Sequence, residues 1–209
     1  MGSTSFRQIA GGLVIAVLIV GFRLMPSHGD QQLRHDHKRD WSYLKVPHTE
    51  ATPLEARLGE IAGLVARRPV QVRCEDFSIG SAAEPGGVVQ FNGHSPADYA
   101  RIRPDFCTQL LKFERAPASA TPQSALALDV LAHESVHPRG VPIESTTECY
   151  AMQEVPRVAR ALGASDTEGR ALARILYAYN YPGMPPNYRS AGCRPGGPLD
   201  EHPGGDWPD

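Results

Sequence analysis

The sequence lacks the marks of several protein classes. None of its four cysteines is spaced as CxxC, which argues against a cysteine-built zinc site. Neither sign of charge is in surplus: the formal net charge is -2, so neither nucleic acid nor a polyanionic surface is implied as a partner. There is no internal repeat, which excludes solenoids and propellers. No apolar run reaches the ~20 residues of a full membrane span. What remains is ordinary. Hydrophobic residues are 41% and charged residues 21% of 209, the composition of one soluble domain with tails.

The longest uncharged run is Ile9 to Phe22, with Arg7 before it and Arg23 after it. It reads as a transmembrane anchor, extended by Leu24 and Met25 if Arg23 snorkels, or as a signal peptide cut near Ser27-His28-Gly29. Either places the rest of the chain outside the cytoplasm, membrane-anchored or secreted. An even cysteine count in an exported chain suggests two disulfides. Four cysteines allow three pairings, and the one preferred here is Cys74 with Cys107 and Cys149 with Cys193. The second pair would pin the Pro/Gly-rich tail to the helix after the histidine motif.

The chain divides into an anchor or signal (1–29), a polar linker (30–51), a domain (52–193) and a tail (194–209). The linker carries His35 and His37 within a charged run and reads as solvated. Thr52-Pro53 opens a helix with Leu54, Leu58, Ile61 and Val65 at helical spacing, ended by Pro69. Val70 to Cys74 alternates like a strand. Val88 to Phe91 does the same, and Asn92-Gly93 marks a hairpin before a further strand near Tyr99 to Arg103. Pro104-Asp105 starts a short helix. Thr121-Pro122 starts another, whose stripe Leu126, Val130, His133 and His137 stays on one face. Pro138 ends it or opens its last turn. A helix from about Ile143 to Glu154 follows, with Pro156 kinking or ending it. Ser165 to Glu168 is a capping box for a last helix through Tyr179. The fold class is α+β, with a small antiparallel sheet packed beside a helical half.

The chemistry lies in His133-Glu134-Ser135-Val136-His137, an HExxH pattern. Two histidines four apart on one helix face supply two metal ligands. The glutamate one place after the first reaches a polarised water rather than the metal, and serves as general base. Zinc is the implied cofactor. A third ligand is needed. Glu144 and Glu148 share a face of the next helix, and Glu148, one turn deeper, is favoured, with Glu144 orienting an imidazole from the rim. The competing reading makes Ser145 to Glu148 a capping box, and then Glu144 is the ligand. Cys149 points about 100° away from Glu148 on that helix, which suits a disulfide.

HESVH followed by ECYA resembles the gluzincin branch of zinc metallopeptidases, and also uncharacterised exported bacterial proteins with an HESxH…ECYA run. The resemblance, stretched over Thr52 to Cys193, implies a zincin-like metallopeptidase domain acting on a peptide or protein substrate. It implies His133 and His137 as ligands, Glu134 as base and Glu148, in an E-x-x-A setting with Ala151, as third ligand. The sequence departs from that family in Pro138 directly after the second histidine and in a short gap to the third ligand. It offers no assignable oxyanion stabiliser: Tyr150, Tyr177, Tyr179 and Tyr181 read as packing residues. A zinc-stabilised cell-envelope binding module without turnover is the alternative function, and an exported structural domain without metal is a third.

Overall fold

The computed structural model describes residues 50–77 and 86–208. The proposed anchor and nearly all of the linker therefore lie outside the described residues. Among the described residues no helix is long and apolar enough to cross a membrane.

The helices begin where their caps demand. Thr52 and Glu55 form a reciprocal capping box for α1 (Pro53–Ala66). Thr121 does the same with Ser124 for α3 (Pro122–Val136), and Ser165 with Glu168 for α5 (Asp166–Ile175). Arg67 ends α1 in the left-handed region at φ 57°. Between these lie α2 (Pro104–Arg115) and α4 (Glu144–Ala161). After α5 the chain makes one π turn, Leu176–Asn180, and then only 3-10 turns among irregular loops. The last helix expected to reach Tyr179 thus changes pitch after Ile175.

The sheet has three strands in the order β1-β3-β2: Gln71–Cys74, Ser95–Ile102 and Gly87–Asn92. It is mixed, not antiparallel as expected. β2 and β3 form the antiparallel hairpin that Asn92-Gly93 predicts, but β1 pairs with β3 in parallel. Only the hairpin is fixed by a tight turn. No tight turn links β1 to either partner, and alternation along a strand does not state the direction of its pairing. Glu55 also holds β1 in place: its Oε1 accepts from the Cys74 amide at 2.8 Å.

The core is mainly helical. Leu58, Ile61, Leu110, Phe113, Leu128, Leu131, Val155 and Val158 are all buried in one cluster. α3 runs through its centre, packed by α1, α2, α4 and the sheet. It is buried around almost its whole girth, and the expected stripe residues Leu126 and Val130 are only partly buried. Enclosure on every side removes the amphipathic signal a surface helix would show.

Of the two outcomes expected at Pro156, a kink or an end, the helix does not end: α4 continues through it to Ala161. An interior proline costs about 3 kcal/mol, which packing offsets here. Val155, Val158 and Ala159 are wholly buried, and Gly169 of α5 lies against the Pro156 backbone. A Cβ at Gly169 would stand 3.1 Å from both Pro156 Cα and its carbonyl oxygen.

Two disulfides are formed, Cys74–Cys107 and Cys149–Cys193, the preferred pairing. The first ties the end of β1 to α2. The second ties the tail to α4. Tail and helix also share a small cluster of Met152, Tyr181, Tyr177, Leu199 and Trp207. The Gln153 side-chain amide holds tail backbone from both sides, donating to the Leu199 carbonyl at 2.9 Å and accepting from the Glu201 amide at 2.8 Å.

The tight α4–α5 crossing makes a prediction. Gly169→Val should destabilise the domain by about 1–3 kcal/mol, read as a lowered midpoint in urea unfolding. An unchanged midpoint would show that the crossing tolerates the added bulk.

Candidate metal centre

α3 brings His133, Glu134 and His137 to one end of the helical core. Pro138 does not displace His137. The helix tightens into a 3-10 turn, His137–Arg139, and His137 keeps helical backbone angles. Gly140 then takes φ 90°, which reverses the chain within a few residues so that α4 can begin at Glu144. The two imidazoles lie edge to face with centroids 4.8 Å apart.

One ligand atom from each of His133, His137 and Glu144 lies within 4.8 Å of the others. Oε2 of Glu144 stands 2.9 Å from Nε2 of His133 and 3.6 Å from Nε2 of His137. The other nitrogen of each ring is held from behind. Nδ1 of His133 donates to Glu148 Oε2 at 2.8 Å, and Nδ1 of His137 donates to the Val141 carbonyl at 2.7 Å. Both rings therefore present Nε2 to a common point, with the tautomer fixed by the partner of Nδ1.

Of the two glutamates, the geometry groups Glu144, the alternative, with the two rings rather than Glu148, the favoured one. Glu144 joins the convergent set, and Glu148 orients His133 from the buried side. The reason is ring direction. Both Nε2 atoms point to the open side of the site, where the Glu144 side chain is 37% exposed, while Nδ1 of His133 points inward to Glu148 at 3%. The first glutamate of the return helix meets Nε2, and the one a turn deeper meets Nδ1. No capping box forms at Ser145, because the helix already begins at Glu144 with Ile143 as its N-cap.

Glu134 is buried beside this set, and its Oε2 has no hydrogen-bond partner. β2 covers it. A Cβ at Gly87 would lie 2.4 Å from Glu134 Cγ and 2.8 Å from its Oε1, so only glycine lets the strand pass this close. Phe91, further along β2, packs edge-on to His137 at 5.6 Å.

The electrostatics follow from burial and pairing. Burial pushes the Glu134 carboxyl up, against the pull of the two imidazoles. Burial alone would raise Glu144 too, but hydrogen bonds from both histidines bring it down to about 2. Burial opposes charge on His133, yet Glu144 and Glu148 together lift its pKa well above the usual imidazole value.

Two participants were not found by sequence reasoning. Asp129 is buried one helical turn before His133, in hydrogen-bonding reach of Glu148. Burial and the facing Glu148 carboxylate push its carboxyl well above the ordinary range, which favours a shared hydrogen bond with Glu148. The signal was a lone acid in an otherwise uncharged helical run, four residues before a candidate ligand histidine. Tyr188 is the other: its ring lies 5.7 Å from that of His133. Its signal was its place five residues before Cys193, whose expected partner adjoins Glu148. Of the tyrosines considered, Tyr177 and Tyr181 pack the tail, Tyr179 is exposed and Tyr150 leans on the main core.

The chain matches no known family model, and no curated protein or solved structure matches it.

Two predictions come from this geometry. Glu144→Ala should cost more metal affinity than Glu148→Ala, whose loss should be roughly 10–100-fold; competition with a chromogenic chelator measures both, and the reverse order would restore Glu148 as ligand. Gly87→Ala should leave metal affinity near wild type but displace Glu134. A crystal structure of that variant with Glu134 unmoved would refute the close packing.

Proposed function

We propose that this chain is a zinc-dependent, metallopeptidase-like hydrolase of peptide bonds, built on a zincin-like domain and working outside the cytoplasm. The observation that carries the reading is the convergence of His133, His137 and Glu144 beside the unpartnered buried Oε2 of Glu134. Two imidazole nitrogens and one carboxylate oxygen are a donor set suited to catalytic zinc, which takes three protein ligands. A buried carboxylate oxygen with no protein partner calls for an explanation, and a reacting water is the one this position offers.

Zinc, when bound, supplies a Lewis acid that polarises a carbonyl and acidifies water. The protein's own groups do the rest. Glu134 accepts the water's proton at its free oxygen, and its raised pKa brings it closer to working pH than an exposed glutamate. The same carboxyl then delivers that proton to the departing amine. Glu148 and the Val141 carbonyl hold the two rings in orientation, and the Asp129 carboxyl supports Glu148. β2 is an edge strand, so its outer backbone groups are placed to pair with an extended peptide beside Glu134.

Export is supported by the two disulfides, which persist in oxidising compartments, and by the apolar run Ile9 to Phe22. That run would attach the domain to a membrane or direct its secretion.

The test is direct. The protein should bind about one zinc per chain and cleave members of a mixed peptide library, with cleavage abolished by chelation. Glu134→Gln should keep the zinc and lose roughly 10²–10⁴ in rate. Protein that takes up no zinc, or a Glu134→Gln variant as fast as wild type, would overturn the reading. Zinc without turnover would instead indicate the inert cell-envelope module.

A further inference from the structure

The hydrolytic reading uses the HExxH helix, the return helix and β2, and leaves the tail without a task. Yet the irregular segment that leads into the tail, residues 181–193, delivers Tyr188 to the centre. This residue closes the short 3-10 turn Pro186–Tyr188, and its ring lies over His133 at 5.7 Å with a 35° tilt. The ring is half-buried. A phenol keeps its proton at neutral pH, so the hydroxyl is able to donate. Thr147, another hydroxyl beside the imidazoles, already donates to the Val141 carbonyl at 3.1 Å. No hydrogen-bond partner within the protein claims the Tyr188 hydroxyl among the described residues.

A three-residue turn does not hold itself in place. The restraints lie on either side of it. The Ser190 amide donates to the Tyr181 hydroxyl at 2.7 Å, and the Tyr177 hydroxyl donates to the Cys193 carbonyl at 3.1 Å. Cys193 is bonded to Cys149, the residue directly after Glu148 on α4. The covalent staple is thus one residue from the carboxylate that orients His133, and five residues from Tyr188.

We propose that Tyr188 is a catalytic residue of this centre, donating a hydrogen bond from its phenol to the substrate oxygen that gains charge during attack, and that the Cys149–Cys193 bridge positions it. This rests on the hydrolase reading. It makes the irregular segment before the tail part of the active site, and it gives the second disulfide a role in binding as well as in stability.

The test uses the full chain loaded with zinc, and a phosphonate dipeptide whose tetrahedral anion mimics the charged oxygen. Tyr188→Phe should retain wild-type zinc content, bind the phosphonate at least tenfold more weakly, and lose roughly 10²–10³ in kcat with KM little changed. Wild-type phosphonate affinity in Tyr188→Phe would overturn the first part. Reduction of the zinc-loaded protein by a phosphine should weaken phosphonate binding in wild type to the Tyr188→Phe level and leave Tyr188→Phe unchanged. The Cys149→Ala/Cys193→Ala double variant should repeat this without a reductant. Undiminished phosphonate affinity in reduced wild type, with the Cys149 and Cys193 thiols shown free by labelling, would overturn the second part. Because these affinities need no turnover, they decide the role of Tyr188 even if the protein cleaves no peptide, the outcome that would sink the hydrolase reading alone.

Discussion

One imidazole, held at both nitrogens by the neighbouring helix, organises this protein. His133 meets Glu148 through Nδ1 and Glu144 through Nε2, so α3 and α4 are joined at their functional ends by hydrogen bonds as well as by packing. The surroundings are acidic. Asp129, Glu134, Glu144 and Glu148 crowd two histidines, and three of these four acids are buried. Buried charge in such an imbalance is costly unless it is neutralised. The chain answers in two ways: burial and Glu148 raise the Asp129 carboxyl toward its neutral form, and Glu144 and Glu148 raise the His133 imidazole toward its charged form. A divalent cation at the shared Nε2 point would answer it more fully, displacing the proton from His133 and giving Glu144 a partner of higher charge. The excess of carboxylates over cations is thus an argument for a metal that does not depend on the HExxH pattern.

Much of this was legible in the sequence because the signals were local. A threonine or serine cap followed by proline or glutamate fixed the starts of α1, α3 and α5 within a residue. Asn92-Gly93 fixed the β2–β3 hairpin, and the cysteine pairing was among the few options four cysteines allow. What was misread depended on contacts between distant segments. The parallel partner of β1, the unbroken helix at Pro156 and the all-round burial of α3 each follow from a neighbour that no window of sequence contains. For Pro156 that neighbour is Gly169, thirteen positions away on the next helix.

The site shows the same division at finer scale. Spacing placed His133, Glu134 and His137 correctly on one helix, because steps of three and four are set by helical pitch. It did not say which edge of each ring faces outward. That depends on the partner of Nδ1, here Glu148 for one ring and a backbone carbonyl for the other. Once those partners are known, Glu144 follows as the group that meets Nε2. Asp129 and Tyr188 were missed for opposite reasons. One sat in plain view on the right helix without an evident partner; the other lay in a Pro-rich stretch before the tail where no regular structure was expected.

The tail is therefore the least legible and most consequential part of the chain. Glycine and proline there do not signal disorder, because the segment borrows its order from α4. The disulfide, the two-sided hydrogen bonding of Gln153 and the ion pair of Arg139 with Glu201 at 3.0 Å each fix one point of it to the helical core. Arg139 also bonds buried Glu154 and lies two residues after His137, so the turn that ends the histidine helix is itself anchored to the tail. A small domain with a three-stranded sheet has few rigid surfaces on which to build a cleft. Binding an irregular segment covalently beside the return helix creates one more, and the cross-link lies one residue from the carboxylate that orients His133 because α4 carries Glu148 and Cys149 side by side.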